Sequence, residues 1–165
     1  MSSLSESALP SPFLGTIVEV CIVTPDYKKT IDGLARLSIG PFQVFNFNDD
    51  TVPKRHFKGD ANNFTLIACF AKQGPLTIEI MQPTGGTSLM SQYLDDNGGK
   101  EGIQHVAFDL GNMPMAERQE YMRKGGFEPA MDGWWKGKKG ECHFCFFDTV
   151  GATGTTFETI EFSED

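Results

Sequence analysis

The sequence is poor in the features that assign a chain to several common classes. No apolar run approaches the roughly 20 residues that cross a bilayer, and the Ser- and Pro-rich start has no basic segment followed by an apolar one, so neither a membrane span nor a secretory signal is predicted. Positive charge is scarce: 14 Lys and Arg face 22 Asp and Glu, a net charge of −8, which argues against nucleic acid as a partner. No Gly-rich phosphate-binding motif occurs. We therefore expect a cytoplasmic protein with neither a membrane nor a nucleic acid as its partner.

Cysteine is also infrequent, with four residues in the chain: Cys21, Cys69, Cys142 and Cys145. The last two fit a C-x-x-C pattern, but residues i and i+3 of a strand point to opposite faces. A zinc knuckle or redox pair is therefore weakly supported there, and we favour reduced, packed thiols.

What the sequence does contain is a set of four ionisable residues inside short apolar, β-like runs: Glu19, Glu79, His105 and Glu158. Such a group is costly to bury unless it is paired, hydrogen-bonded or bound to a metal. The alternative is that each points outward on a solvated sheet face. Four of them in four separated strands predict convergence on one site.

The first half of the chain predicts strand, helix and three strands. Residues 16–24 form the first strand, and Asp26 caps a helix that ends before Gly40. Further strands are predicted over residues 42–47, 64–72 and 76–82. The polar stretch 48–63 is interpreted as a mobile loop, in the manner of a lid.

The second half repeats this order. A strand over residues 103–110 precedes a helix over 115–124. Strands follow over residues 127–133, 141–147 and 155–162, with turn-like stretches at 134–139 and 148–154. We thus predict an α+β fold of two repeated βαβββ modules that form a curved, open-barrel mixed sheet around a central groove. The divisions are a flexible tail (1–14), the first module (15–86), a linker helix (87–101) and the second module (102–165).

The four residues occupy matching places in these modules. Glu19 and His105 lie in the first strand of each, and Glu79 and Glu158 lie in the last. A duplicated unit relates equivalent strands by a pseudo-two-fold axis, so their inward-facing side chains can meet in one groove.

Four segments in this order, residues 18–26, 78–83, 88–110 and 146–158, resemble the vicinal oxygen chelate superfamily. This superfamily includes glyoxalase I, bleomycin-resistance proteins, extradiol dioxygenases and methylmalonyl-CoA epimerase, and the epimerase branch is the most similar. The resemblance implies that the four residues are metal ligands. It also implies a homodimer by analogy.

Two departures from the family pattern bear on the chemistry. The family usually has His or Gln where this chain has Glu19. The epimerases also carry a second carboxylate base before the second ligand, whereas residues 61–66 offer only amides. Racemisation by two opposed bases is therefore in doubt. Because Glu19 replaces one His of the dioxygenase ligand set, Fe(II) chemistry is disfavoured.

Three carboxylates and one imidazole make a hard, anionic site that favours one divalent ion with open water positions: Zn²⁺, Mg²⁺, Mn²⁺, Co²⁺ or Ni²⁺. One carboxylate could act as a base, with Glu158 the first choice and Glu19 the second. These residues predict a metal-dependent isomerase, epimerase or lyase that acts on a small oxygenated substrate, either a CoA thioester or a polyketide-like aromatic. The alternatives are a metal-free site, a sequestering protein of the bleomycin-resistance type, or a ring-cleaving extradiol dioxygenase.

Four further residues are candidates for substrate binding: Tyr93, Trp134, Trp135 and His143. Three of them have a structural alternative, because the tryptophans could cover the core and His143 could be packed or exposed, whereas Tyr93 indicates an apolar groove. The cations of the 48–63 stretch could clamp an anionic substrate, but a solvated charge run is the simpler interpretation.

Overall fold

Ten strands and four helices follow one another in a computed structural model, which describes residues 13–137 and 140–163. The strands are β1 (Thr16–Val23), β2 (Gln43–Phe47), β3 (Lys54–Phe57), β4 (Asp60–Ala61), β5 (Thr65–Gln73), β6 (Leu76–Gly85), β7 (Gly102–Asp109), β8 (Pro129–Gly137), β9 (Gly140–Phe147) and β10 (Thr156–Ser163). The helices are α1 (Tyr27–Ala35), α2 (Leu89–Asp96), α3 (Met115–Lys124) and α4 (Val150–Thr153). Most of the predicted N-terminal tail lies outside the described residues.

The strands form one sheet whose order shows the duplication: β2-β5-β6-β1-β7-β10-β9-β8-β3-β4. In each half the first strand pairs in parallel with the last, and the remaining strands continue antiparallel from it. The two first strands, β1 and β7, meet antiparallel at the centre. The predicted α+β class and curved mixed sheet are confirmed.

The register explains why matching residues converge. Glu19 lies opposite Ala107, and His105 lies opposite Cys21, so these two pairs are related by the local two-fold axis. On the flanking strands, Glu79 lies beside Cys21, and Glu158 lies beside Ala107. Because side chains alternate between the faces of a strand, all of these residues point to the concave face.

Helix α2 is held by local sequence signals and by packing. Ser88 and Ser91 form a capping box at its start, and Met90 and Leu94 are buried against the core. Tyr93 also packs on this core, with its hydroxyl so close to Gly102 that a Cβ would not fit there. The helix therefore closes one end of the groove.

The prediction of a mobile loop over residues 48–63 is wrong. This stretch contains β3 and β4, and β3 crosses to the other module to pair with β8. Arg55, which is 3% exposed, donates hydrogen bonds to the carbonyl oxygens of Val52 and Phe64 and pairs with Asp49 at 2.7 Å. The guanidinium thus fixes the stretch from inside, and Arg55 is not part of a solvated charge run.

The predicted turns also differ from the structure. Residues 134–137 continue β8 instead of forming a turn, and residues 138–139 lie outside the described part of the chain. The stretch 148–154 contains the short helix α4. Cys142 and Cys145 point to opposite faces as predicted, and all four cysteines are free and buried. Within the described ranges, every helix is too short or too polar to cross a bilayer.

Candidate metal centre and substrate cavity

The concave side of the sheet is divided between a core and a cavity. At the α2 end, a cluster that includes Phe64, Leu66 and Met90 fills the space. At the other end a cavity of about 580 Å³ remains open to solvent, a size typical of small-molecule sites. Its mouth is formed by residues that include Gly40, Gln43, Lys72 and Phe162.

Glu19, Glu79, His105 and Glu158, here called the inner quartet, meet where the core ends and the cavity begins. One ligand atom of each lies within 4.8 Å of those of the other three. The Nε2 atom of His105 is 3.0 Å from Glu158 Oε2 and 3.6 Å from Glu79 Oε2. Exposure ranges from 0% for His105 to 5% for Glu19. The three carboxylates line the cavity, and His105 lies behind them.

The inner quartet is incompletely hydrogen-bonded. One buried atom of each residue has no hydrogen-bond partner: Glu19 Oε1, Glu79 Oε1, His105 Nε2 and Glu158 Oε2. The close approach of His105 and Glu158 does not have the angle of a hydrogen bond. Buried polar atoms are rarely left unpaired, so four at one point indicate a group that binds there.

Burial raises the pKa of two carboxyl groups in the inner quartet. It brings the pKa of Glu158 to about 7, against the opposing effect of His105. Burial, followed by the charge of Glu79, raises the pKa of Glu19 well above its ordinary value. For His105 burial acts to lower the pKa, but contacts with Cys21, Glu158 and Glu79 outweigh it and the net pKa is raised. The cluster therefore retains protons that a divalent cation would displace.

A neighbour on the same strand fixes the His105 ring. The Nδ1 atom of His105 donates to Gln104 Oε1, and Gln104 Nε2 donates in turn to Thr156 Oγ1 at 3.4 Å. This leaves Nε2 directed at the carboxylates. Metal-binding histidines are usually oriented in this way by a second hydrogen bond, so the donor set and its support both fit a divalent ion.

Sequence reasoning missed Gln104, Cys21 and several walls of the cavity. Cys21 is fully buried beside Glu79 and His105, and its position two residues after Glu19 in a strand would have placed it on the same face. The same spacing from Glu158 would have identified Ile160 as a wall residue. By contrast, no local pattern marked Gln104.

The four predicted substrate-binding residues do not lie together. Trp135 lines the cavity. Trp134 and His143 lie on the opposite face of the sheet, where their rings stack at 3.8 Å, so neither matches the expectation that it walls the groove. Tyr93 belongs to the packing around α2 and does not line the cavity.

His143 belongs to a second cluster, the convex trio of His56, Asp132 and His143. The two carboxylate oxygens of Asp132 accept one hydrogen bond each, from His56 Nδ1 at 2.8 Å and from His143 Nε2 at 2.9 Å. The trio joins β3 of the first module to β8 and β9 of the second. Lys54, whose Nζ lies 4.1 Å from the centroid of the Trp134 ring, and His56 thus face away from the cavity.

Residues 19–146 match the model of the Glyoxalase/Bleomycin resistance protein/Dioxygenase superfamily. No curated protein matches the chain.

Several solved structures share the fold. Methylmalonyl-CoA epimerase from Mycobacterium tuberculosis is 20% identical, with a TM-score of 0.62 over 94% of this chain and 93% of that one. A Streptomyces coelicolor methylmalonyl-CoA epimerase variant in complex with 2-nitronate-propionyl-CoA is 18% identical, with a TM-score of 0.58 over 92% and 98%. A mutant of 4-hydroxymandelate synthase from Streptomyces coelicolor is 14% identical, with a TM-score of 0.53 over 91% of this chain and 49% of that one.

Proposed function

The chain belongs to the Glyoxalase/Bleomycin resistance protein/Dioxygenase superfamily, and from this premise we propose that it is a divalent-metal-dependent isomerase, epimerase or lyase. Its substrate is a small oxygenated molecule, and the reaction is proton transfer next to a carbonyl group. The observation that carries the proposal is the inner quartet, because four unpaired buried atoms converge at the inner end of an open cavity.

Glu19, Glu79, His105 and Glu158 would hold the metal, and the ion would polarise a substrate carbonyl and stabilise negative charge on its oxygen. Oxygen and nitrogen donors suit Zn²⁺, Mg²⁺, Mn²⁺, Co²⁺ or Ni²⁺. All four residues come from one chain, so the site does not require a second subunit. A homodimer remains a prediction.

Glu158 is the proposed base. It lines the cavity, and in the metal-free protein burial raises its pKa to about 7. To act as a base it would leave the metal, so that its oxygen could take up the substrate proton. Glu19 is the second choice, since it also lines the cavity and its pKa is also raised. The residues that would serve as an opposed second base in the epimerases are amides here, which favours a one-base reaction.

The apolar walls of the cavity favour one alternative, a protein that binds a small molecule without chemistry. A ring-cleaving dioxygenase has less support, because Glu19 stands where that class has a second His. Oxygen consumption would identify it.

The test combines elemental analysis with proton exchange. Protein purified without chelator should contain one divalent ion per chain. In D₂O, the proton next to the carbonyl of methylmalonyl-CoA or of ortho-hydroxyacetophenone should exchange, as followed by NMR. At saturating metal, Glu158→Gln should slow this exchange about 10²- to 10⁴-fold, whereas Glu120→Gln, on the exposed side of α3, should not change it. Wild-type protein without metal would overturn the proposal, and ligand binding without exchange would favour the sequestering alternative.

A further inference from the structure

The cavity has walls of two different kinds. One side carries the carboxylates of Glu19, Glu79 and Glu158. Much of the remaining lining is a set of rings from four strands, here called the aromatic wall: Phe45, Phe47, Phe70, Trp135 and Phe144. The lining therefore orients a ligand: its polar end lies towards the carboxylates, and its apolar face lies against the rings.

Trp135 is the centre of the aromatic wall. Its ring lies 5.2 Å from that of Phe45 at an interplanar angle of 70°, and it stacks with Phe47 at 5.8 Å and Phe70 at 6.5 Å. Phe47 continues the stack to Phe144 at 5.9 Å. Trp135, Phe45 and Phe70 are only half-buried, so part of this ring surface is free to pack against a ligand. Ring surfaces of this kind favour the faces and edges of other rings.

Positive charge is nearly absent from the lining. Among the described residues that line the cavity, Lys72 is the single cation, and it is exposed at the mouth. The three carboxylates carry three negative charges when ionised, which a divalent ion and a neutral imidazole reduce to one. An anionic group deep in the cavity would therefore meet an excess of its own sign.

We propose that the site takes an uncharged aryl compound with a carbonyl and a neighbouring hydroxyl, in preference to a CoA thioester. Its rings lie against the aromatic wall, and its oxygens point to Glu19 and Glu158. This inference rests on the proposed function and narrows its substrate class.

The contrast with a CoA thioester follows from chemistry. In methylmalonyl-CoA a carboxylate is bonded to the carbon that reacts, so this charge would lie beside Glu158. The CoA moiety also carries several phosphate charges, and recognition of phosphates normally uses Arg or Lys side chains. The described lining offers one such cation at the mouth and five aromatic rings inside.

Calorimetry on the full, metal-loaded chain tests the inference with three probes: ortho-hydroxyacetophenone, its two-ring analogue ortho-hydroxyacetonaphthone, and methylmalonyl-CoA. We expect the two-ring ketone to bind most tightly and methylmalonyl-CoA least. Trp135→Leu should weaken binding of the two-ring ketone roughly tenfold, and Phe70→Leu should weaken it less. Trp134→Leu is the matched control, because the adjacent ring lies on the opposite face, and it should leave this affinity unchanged.

The outcomes separate this inference from the proposed function. Tighter binding of methylmalonyl-CoA than of either ketone, or equal losses in the Trp135 and Trp134 variants, would overturn the substrate class even if metal content and proton exchange are as proposed. If the protein contains no metal but the two-ring ketone binds in a Trp135-dependent manner, the aryl preference stands and the enzymatic proposal fails.

Discussion

Two clusters of histidine and carboxylate lie on opposite faces of the same sheet, and they differ in how their polar atoms are satisfied. In the convex trio, Asp132 uses both oxygens as acceptors from His56 and His143. In the inner quartet, each residue retains a buried atom without a partner. Residue types are therefore a poor guide to function, because the same types form a hydrogen-bonded contact in one place and a cluster with unpaired buried atoms in the other.

The largest expected effect is on metal affinity, and it should differ between substitution of the histidine in the inner quartet and substitution of one in the convex trio. His105→Ala should lower the affinity for a divalent ion by more than about 100-fold, because loss of an outer-shell group alone costs about 10- to 100-fold. His143→Ala should leave this affinity unchanged. Metal titration of both variants, with circular dichroism to confirm that each is folded, makes the comparison. Equal losses in the two variants would contradict the assignment of the site to the inner quartet.

Removal of a carboxylate charge should change the free energy of unfolding in opposite directions in the two clusters. In the metal-free protein the pKa of Glu158 is about 7 instead of 4.5. The contribution of this group to the stability of the fold is therefore fully present below pH 4.5, and it is lost as the pH rises through 7. Glu158→Gln should therefore increase the free energy of unfolding of metal-free protein at pH 8, by about 3 kcal/mol. Urea unfolding at pH 5 and pH 8 measures it. A destabilised variant at pH 8 would show that the carboxylate is already paired.

Gln104 offers a finer test of the inner quartet, since it contacts His105 without facing the cavity. Gln104→Ala should reduce metal affinity about 10- to 100-fold by freeing the imidazole ring. Gln104→Glu keeps an acceptor for Nδ1 and should restore most of this affinity. If neither variant changes metal binding while both lower stability, Gln104 is only a packing residue.

The smallest effect is expected in the convex trio. Burial acts to raise the pKa of Asp132, but hydrogen bonds from His143 and His56 outweigh it and the net pKa is lowered. Its contribution to stability is thus present above the ordinary value of 3.8 and is lost as the pH falls through the lowered pKa. Asp132→Asn should cost about 1 kcal/mol at neutral pH, and the difference from wild type should vanish in acid. Metal affinity should not change.

The sequence was sufficient to predict the duplication and the inner quartet, because both depend on local signals. Strand periodicity placed Glu19 and His105 at equivalent points, and a polar residue in an apolar run is visible without a structure. Glu79 and Glu158 were likewise placed in the last strand of each module, and the structure shows that these strands pair with the central ones.

What could not be predicted depends on contacts between distant segments. The Lys54–Phe57 strand is short and charged, and only its pairing with β8 makes it a strand. Trp134 and Trp135 lie on alternate faces because β8 continues through them to Gly137. The sequence had predicted a turn at these residues, so their faces could not be assigned. The face of His143 is an exception that could have been predicted, because it lies between Cys142 and Phe144, both cavity residues, and side chains alternate along a strand.

The crossing of β3 to the second module has a consequence for the solubility of folding intermediates. Without it, β8 would end the sheet as a nine-residue strand with free backbone donors and acceptors, a template for pairing with other chains. With it, that side ends in the two-residue β4, which offers little to extend. The segment predicted as a lid over the groove instead lies at the far margin of the sheet, where it leaves only a short edge for pairing with another chain.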